Sequence, residues 1–162
     1  MASGNTLISF SPLSNQPPAS NYATLDTRNS IAVLDFDATT AEDAVFVGVM
    51  PRHYAGGGVT ITIHWMATSA TSNSVVWTTA FERMNTDEDA DSFATSNDSA
   101  ASSANGTSGI ITAATTTHTD GAQMDSVAIG DPFRLKITRK VADANDTMTG
   151  DAEIVGVEIR EV

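Results

Sequence analysis

Apolar and polar positions alternate with a period of two over much of the chain beyond residue 30, most clearly between Val59 and Met84. Val59, Ile61, Ile63 and Trp65 fall on one face, and Thr60, Thr62, His64 and Met66 on the other. After a short Ser/Thr/Asn/Ala linker, Val75, Trp77, Thr79 and Phe81 share a face opposite Val76, Thr78, Ala80 and Glu82. Period two with β-branched and aromatic enrichment marks half-buried strands. The polar linker between two such runs predicts an antiparallel hairpin over Val59–Met84, with both tryptophans on its apolar side.

The same pattern predicts strands at Ile31–Asp37, around Val45–Val49, at Ile110–Thr119, at Phe133–Val141 and at Glu153–Val162. In Phe133–Val141 the inward row is Phe133, Leu135 and Ile137, and Arg139 interrupts it. No helix longer than two turns is predicted. Many short strands separated by turn residues imply an all-β chain. The expectation is an antiparallel β-sandwich, jelly-roll-like, of about eight strands.

Three segments lack the pattern. Residues 1–30 are polar, with Pro12, Pro17 and Pro18, and read as an extended N-terminal arm in which Leu7, Ile8 and Phe10 form a short edge strand. Such an arm is either a loose terminus or a tether laid on a neighbouring subunit. Residues 51–58, PRHYAGGG, form a loop whose glycines allow positive φ and close backbone approach. No Lys-Ser/Thr follows, and the next element is a strand, so it is not a phosphate cradle. Residues 85–109 form a long acidic, then Ser-rich insertion in the 31–162 domain, with one or two helical turns expected between Asp89 and Ser96.

Composition narrows the function. At 162 residues with 41% hydrophobic content the chain can bury a real core. A net charge of -12 disfavours nucleic-acid binding. The absence of cysteine excludes disulfides and thiolate chemistry. The N-terminus has no basic and apolar regions of a signal peptide, and no apolar run suffices to span a membrane. Synthesis in the cytoplasm without a signal peptide is the expectation.

Candidate chemistry is sparse. Asp87, Asp89 and Asp91 have the spacing of calcium-loop positions 1, 3 and 5, and Asp98 that of position 12. Ser92 stands where that loop needs glycine, so the run reads as a solvated acidic loop, with Ca2+ at Asp87–Asp91 as the alternative. Asp143, Asn145 and Asp146 form a second, smaller acidic cluster read the same way. His53, His64 and His118 have no metal-ligand spacing, and no G-x-S-x-G elbow occurs. No catalytic residues are assigned, and the chain reads as a non-enzyme without a cofactor. Tyr22 and Tyr54 are the aromatic candidates for exposed contacts. Arg134, Lys136 and Lys140 form an outward basic stripe, which either meets an acidic partner or protects an edge strand.

The run MPRHYAGGGVTITIHWMATSATSNSVVWTTAFERM, with GDPFRLKITRKVADANDTMTGDAEIVGVEIREV, resembles small β-sandwich structural proteins of tailed bacteriophages. The likeness covers Ile31 to the C-terminus and is one of pattern. It implies a capsid decoration or cement protein that works as an oligomer, commonly a trimer, on the major capsid protein at the virion surface. Its interface residues are then sought in the arm (Leu7, Ile8, Phe10, Tyr22), the loop (Arg52, His53, Tyr54) and the stripe (Arg134, Lys136, Lys140). The alternative is a carbohydrate- or receptor-binding head or tail appendage using Arg52, His53, Tyr54 and the acidic insertion.

Overall fold

Strands rich in threonine, valine and isoleucine pair into two facing sheets in the computed structural model, which describes residues 4–162. The strands are β1 (Thr6–Phe10), β2 (Thr24–Arg28), β3 (Ile31–Phe36), β4 (Asp43–Val49), β5 (Val59–Ala67) and β6 (Ser74–Val75). They continue as β7 (Trp77–Arg83), β8 (Asn97–Asp98), β9 (Ser102–Ser103), β10 (Thr112–His118), β11 (Pro132–Arg139) and β12 (Ala152–Glu161). One sheet has the order β10-β5-β12-β3-β2, with β1 also on β12, and the other has the order β4-β11-β7-β8. All of these strand pairs are antiparallel. The central strands β3, β12, β5 and β10 face β4, β11, β7 and β8. The chain crosses between these sheets from β3 to β4, from β4 to β5 and, by way of β6, which pairs with β9 in a separate two-stranded sheet, from β5 to β7. That is the jelly-roll arrangement of an antiparallel β-sandwich.

This connectivity corrects the predicted hairpin. β5 pairs with β10 and β12, whereas β7 pairs with β11 and β8. The linker after Ala67 therefore crosses from one sheet to the other. The tryptophans are both fully buried and meet across the sandwich, ring centroids 6.2 Å apart. Phe36 of β3 packs edge-on against Trp77 at 5.0 Å. The period-two faces were legible, but facing strands of two sheets leave the same alternation as paired strands of one.

For residues 4–30 the short strand expected at Leu7, Ile8 and Phe10 is present as β1, whereas the extended arm is corrected. β1 pairs with β12, and β2 forms a hairpin with β3 through Asn29 and Ser30, both at positive φ. Two consecutive residues of that kind make the primed turn that suits a two-residue hairpin. Between them, Asn15 bridges to Phe46, and Tyr22 bridges to Asp43, along the outer edge of β4. Leu7 and Phe10 lie in the core, with Phe10 stacked on Phe46 at 5.1 Å. Leu7 and Phe10 are thus not interface residues, and Ile8 packs half-buried against the same core.

One end of the core is closed by a buried ion pair. Arg139, on the inward face of β11, is fully buried and meets Asp146 at 2.9 Å. Its remaining donors go to the carbonyls of Met148 and Gly150, 2.7 and 2.8 Å away. The inward arginine therefore clamps the 141–150 loop. No helix of the described residues is long and apolar enough to cross a membrane.

Candidate binding surfaces

The basic stripe is consumed within the chain. β11 is central in its sheet, so Arg134, Lys136 and Lys140 protect no edge. Register places Arg134 opposite Glu82 on β7, and the fully buried Glu82 carboxylate accepts from both Nε and Nη2 of Arg134, at 3.0 and 2.5 Å. Phe93, from the insertion, lies 5.1 Å from the Arg134 guanidinium and 4.8 Å from the Lys136 ammonium, within cation–π range. Lys140 bridges Asp98 and Asp143. The acidic partners expected for the stripe are this chain's own Glu82, Asp98 and Asp143, with Phe93 and Asp98 supplied by the insertion.

The acidic run does not form a calcium loop. Asp87 accepts from the Asp89 backbone N–H, and Asp91 accepts from Thr86 and Ser92. Asp91 groups with Glu82 and Glu88 rather than with Asp87 and Asp89. A guanidinium already holds Glu82, so this donor set includes its own cation and does not fit calcium. The helical turns expected after Asp89 reduce to a single turn over Asp87–Asp91.

The 51–58 loop places its residues differently from expectation. Tyr54 is 3% exposed, donates its hydroxyl to the Gly57 carbonyl and to Asp120, and contacts Met124. Burial, reinforced by Asp120, pushes its phenol pKa up. It anchors the loop and is not an exposed contact. Arg52 and His53 are exposed, and His53 Nε2 lies 3.4 Å from the Thr6 carbonyl. Gly58 is required by close approach, because a Cβ there would meet the His118 carbonyl at 2.7 Å.

Two of the open surfaces of the described residues lie at opposite edges of the sandwich. At the β2/β4 edge, Pro12, Leu13, Pro17, Tyr22 and Leu25 line a shallow groove. Leu13, Tyr22 and Leu25 are 71%, 48% and 54% exposed. Of the residues expected at an interface, Tyr22 is the one found here. At the β8/β10 edge lies a cleft of about 750 Å3 between Gly58, Thr60, Asn97, Asp98 and the 117–123 segment. Sequence reasoning singled out neither Asn97 nor Gln123, since loop amides carry no periodic signal.

Behind the cleft, His118 is 2% exposed. Its Nδ1 lies 3.2 Å from the Gln123 backbone carbonyl and 3.3 Å from Asn97 Nδ2, so it has both an acceptor and a donor beside it. Nε2 shares a hydrogen bond with the Thr79 hydroxyl at 2.8 Å, and that hydroxyl also meets that of Thr116 at 2.6 Å. This buried polar bridge joins β7 to β10 and satisfies Thr79, a polar residue on an apolar face. Burial holds the His118 pKa below the usual histidine range, partly offset by the Gln123 bond.

No protein-family model matches the chain, and no curated protein matches it. Among solved structures, it is similar to the CBM22-1 xylan-binding domain of Xyn10C from Paenibacillus barcinonensis, with 13% identity and a TM-score of 0.39. That similarity covers 98% of this chain and 95% of the other.

Proposed function

We propose that this chain is a non-enzymatic structural subunit that acts by docking as an oligomer, and that its place is the outer shell of a tailed-phage head. The observation that carries the docking part of this reading is the groove at the β2/β4 edge, and the placement on a phage head rests on the sequence resemblance. Three large apolar side chains exposed together are characteristic of an interaction surface. The groove is lined by residues between Pro12 and Leu25, a stretch with no Asp, Glu, Lys, Arg or His in a chain of net charge -12. Two copies of so acidic a protein repel at distance, and a neutral apolar contact is where they can meet with least like-charge cost.

The occupant proposed is a second copy of the chain. A cyclic trimer joins two different patches on each copy. A second patch exists around Ile31 and Ile111, 55% and 53% exposed, with Met66 and Val155 between them. In this arrangement the major capsid protein is the surface on which the trimer sits, and weak contacts are multiplied by three-fold avidity.

The test is sedimentation of the full chain beside a Leu13→Asp/Leu25→Asp variant, with add-back of both to shells stripped of the protein. Each leucine contributes about 1–2 kcal/mol if covered in the complex. The native chain is expected to sediment as a trimer and reload the shells. The variant is expected to melt at the native temperature, sediment as a monomer and fail to reload. A monomeric native chain that reloads shells no better than the variant would remove the proposal.

A further inference from the structure

The β8/β10 cleft contains a pair of side-chain amides whose orientations are fixed by the protein. The Thr119 backbone N–H can only donate, and it lies 2.8 Å from Gln123 Oε1. That oxygen is therefore the acceptor, and it also receives Asn97 Nδ2 at 3.0 Å. Asn97 Nδ2 donates in addition to the Thr117 carbonyl at 2.7 Å. A flip of either amide would set donor against donor or acceptor against acceptor. The outcome is that Gln123 Nε2, a donor, and Asn97 Oδ1, an acceptor, have no partner among the described residues, and both residues line the cleft.

We propose that this cleft binds a neutral polyhydroxylated ligand, a saccharide, through that fixed donor–acceptor pair. A hydroxyl both donates and accepts, so adjacent hydroxyls of a sugar match a neighbouring amide N–H and amide oxygen. The rest of the lining has the same character. Thr60, Thr117 and Thr119 line it, and Asp98 and Asp120 each have one oxygen without a partner among the described residues. No lysine or arginine lines the cleft, and two carboxylates do, so an anionic ligand is repelled. Its volume of about 750 Å3 is that of a small-molecule site. No tyrosine or tryptophan lines it, so stacking is absent and binding of a single short sugar is weak.

The pair is also built on rigid parts. Asn97 belongs to β8, registered against Thr79 of β7, and its amide reaches across to β10. Gln123 is held by a backbone N–H at one end of the turn that carries it. Amides fixed before the ligand arrives lose little freedom on binding.

The test uses the full chain in an amide-resolved NMR titration with lactose, maltose and cellobiose, with glucuronate as the anionic control, alongside a glycan array of neutral and sialylated glycans. The Gln123→Glu variant retains the acceptor for Thr119 and Asn97 and replaces the free donor by a carboxylate oxygen. At least one neutral sugar is expected to shift the Asn97 and Gln123 side-chain amides and the Thr119 amide. Gln123→Glu should weaken that sugar at least about tenfold while its backbone spectrum stays native. Neutral sugars should bind more tightly than glucuronate. Silence of these resonances with a blank array, affinity unchanged in Gln123→Glu, or preference for the anion would overturn the proposal. These readings do not depend on oligomeric state, so they fail or succeed separately from the docking proposal.

Discussion

Replacing Asp146 by alanine should be among the most damaging single changes to the fold, although Asp146 sits in a loop. The substitution leaves Arg139 fully buried without its counter-charge. Breaking one partner of a buried pair costs about 3–5 kcal/mol. The Val76 backbone N–H, which donates to Asp146 at 3.1 Å, also loses its acceptor. That adds about 1 kcal/mol or more. Domains of this kind are stable by roughly 5–15 kcal/mol, so a third or more of the total is at stake. With a urea slope of about 2 kcal/mol per molar, the midpoint should fall by about 2 M. The informative control is Arg139→Met combined with Asp146→Ala. Buried ion pairs replaced as a pair by apolar groups are commonly neutral or stabilising. Here the double variant should remain about 2 kcal/mol or more below the native protein, because Met148 and Gly150 lose the donors that hold their carbonyls. Urea melts of the three proteins, with amide exchange across residues 141–150, decide it. A double variant at the native midpoint would refute the idea that Arg139 acts as a clamp on the loop. A loss below about 1 kcal/mol in Asp146→Ala would show that the pair is not desolvated.

Two further outcomes follow from groups elsewhere in the sandwich. Asp35 is pushed up to about 6 by burial and by the neighbouring Asp151 and Glu153, so its ionisation opposes folding above that pH and the opposition fades as pH falls toward 4. His118, held down by burial, works in the other direction: its contribution is present above the unfolded histidine pKa and is lost as pH falls through its folded value. Asp35→Asn should therefore stabilise by about 1 kcal/mol at pH 8, after allowance for solvent screening, and by less at pH 5. Chemical melts at the two pH values check this, and an equal gain at both would count against it. The tryptophans should also differ. Trp65 Nε1 donates to Ser102 at 2.9 Å, whereas Trp77 Nε1 is buried without a partner among the described residues. Trp65→Phe orphans the Ser102 hydroxyl, and Trp77→Phe removes an unpaired donor, so the first should cost about 1 kcal/mol more than the second in a denaturant series. The reverse order would show that ring volume alone sets the cost.

Strand positions were legible because burial on one face leaves period two in the sequence. Val59–Ala67 and the inward row Phe133, Leu135 and Ile137 stand as the alternation requires. Pairing was not legible, since alternation records which face a residue takes and not which strand lies beside it. A Val59–Met84 hairpin would have put β5 and β7 in one sheet, whereas the sandwich places them in opposite sheets. β2 escaped notice for a related reason: its turn is Asn29-Ser30, without the glycine that usually flags such a hairpin. Arg139 could be seen to break the inward row, but its partner lies in a loop that reads as ordinary acidic surface. The fate of Arg134, Lys136 and Lys140 depended on Glu82, Phe93 and Asp98, which only register and the folding back of the insertion bring near.

The topology also constrains how docking and ligand binding can coexist. A two-sheet sandwich has two open sides, and here they are closed by different means. On the β2/β4 side, backbone from residues 15–23 bonds along β4, through Gln16 to Val45 and Ala23 to Asp43. That blocks strand addition but leaves Leu13, Tyr22 and Leu25 facing solvent. On the β8/β10 side, a side chain does the closing, as Asn97 takes the Thr117 carbonyl and leaves a polar cleft beside it. A subunit held through the first side keeps the second turned away from the contact. Sugar binding by shell-bound protein would then be as strong per site as in free protein, and multiplied in avidity by the array of copies. Were the cleft instead part of the docking surface, free protein would bind the sugar and shell-bound protein would not. Comparing the two on one immobilised glycan separates an outward-facing site from one consumed in assembly.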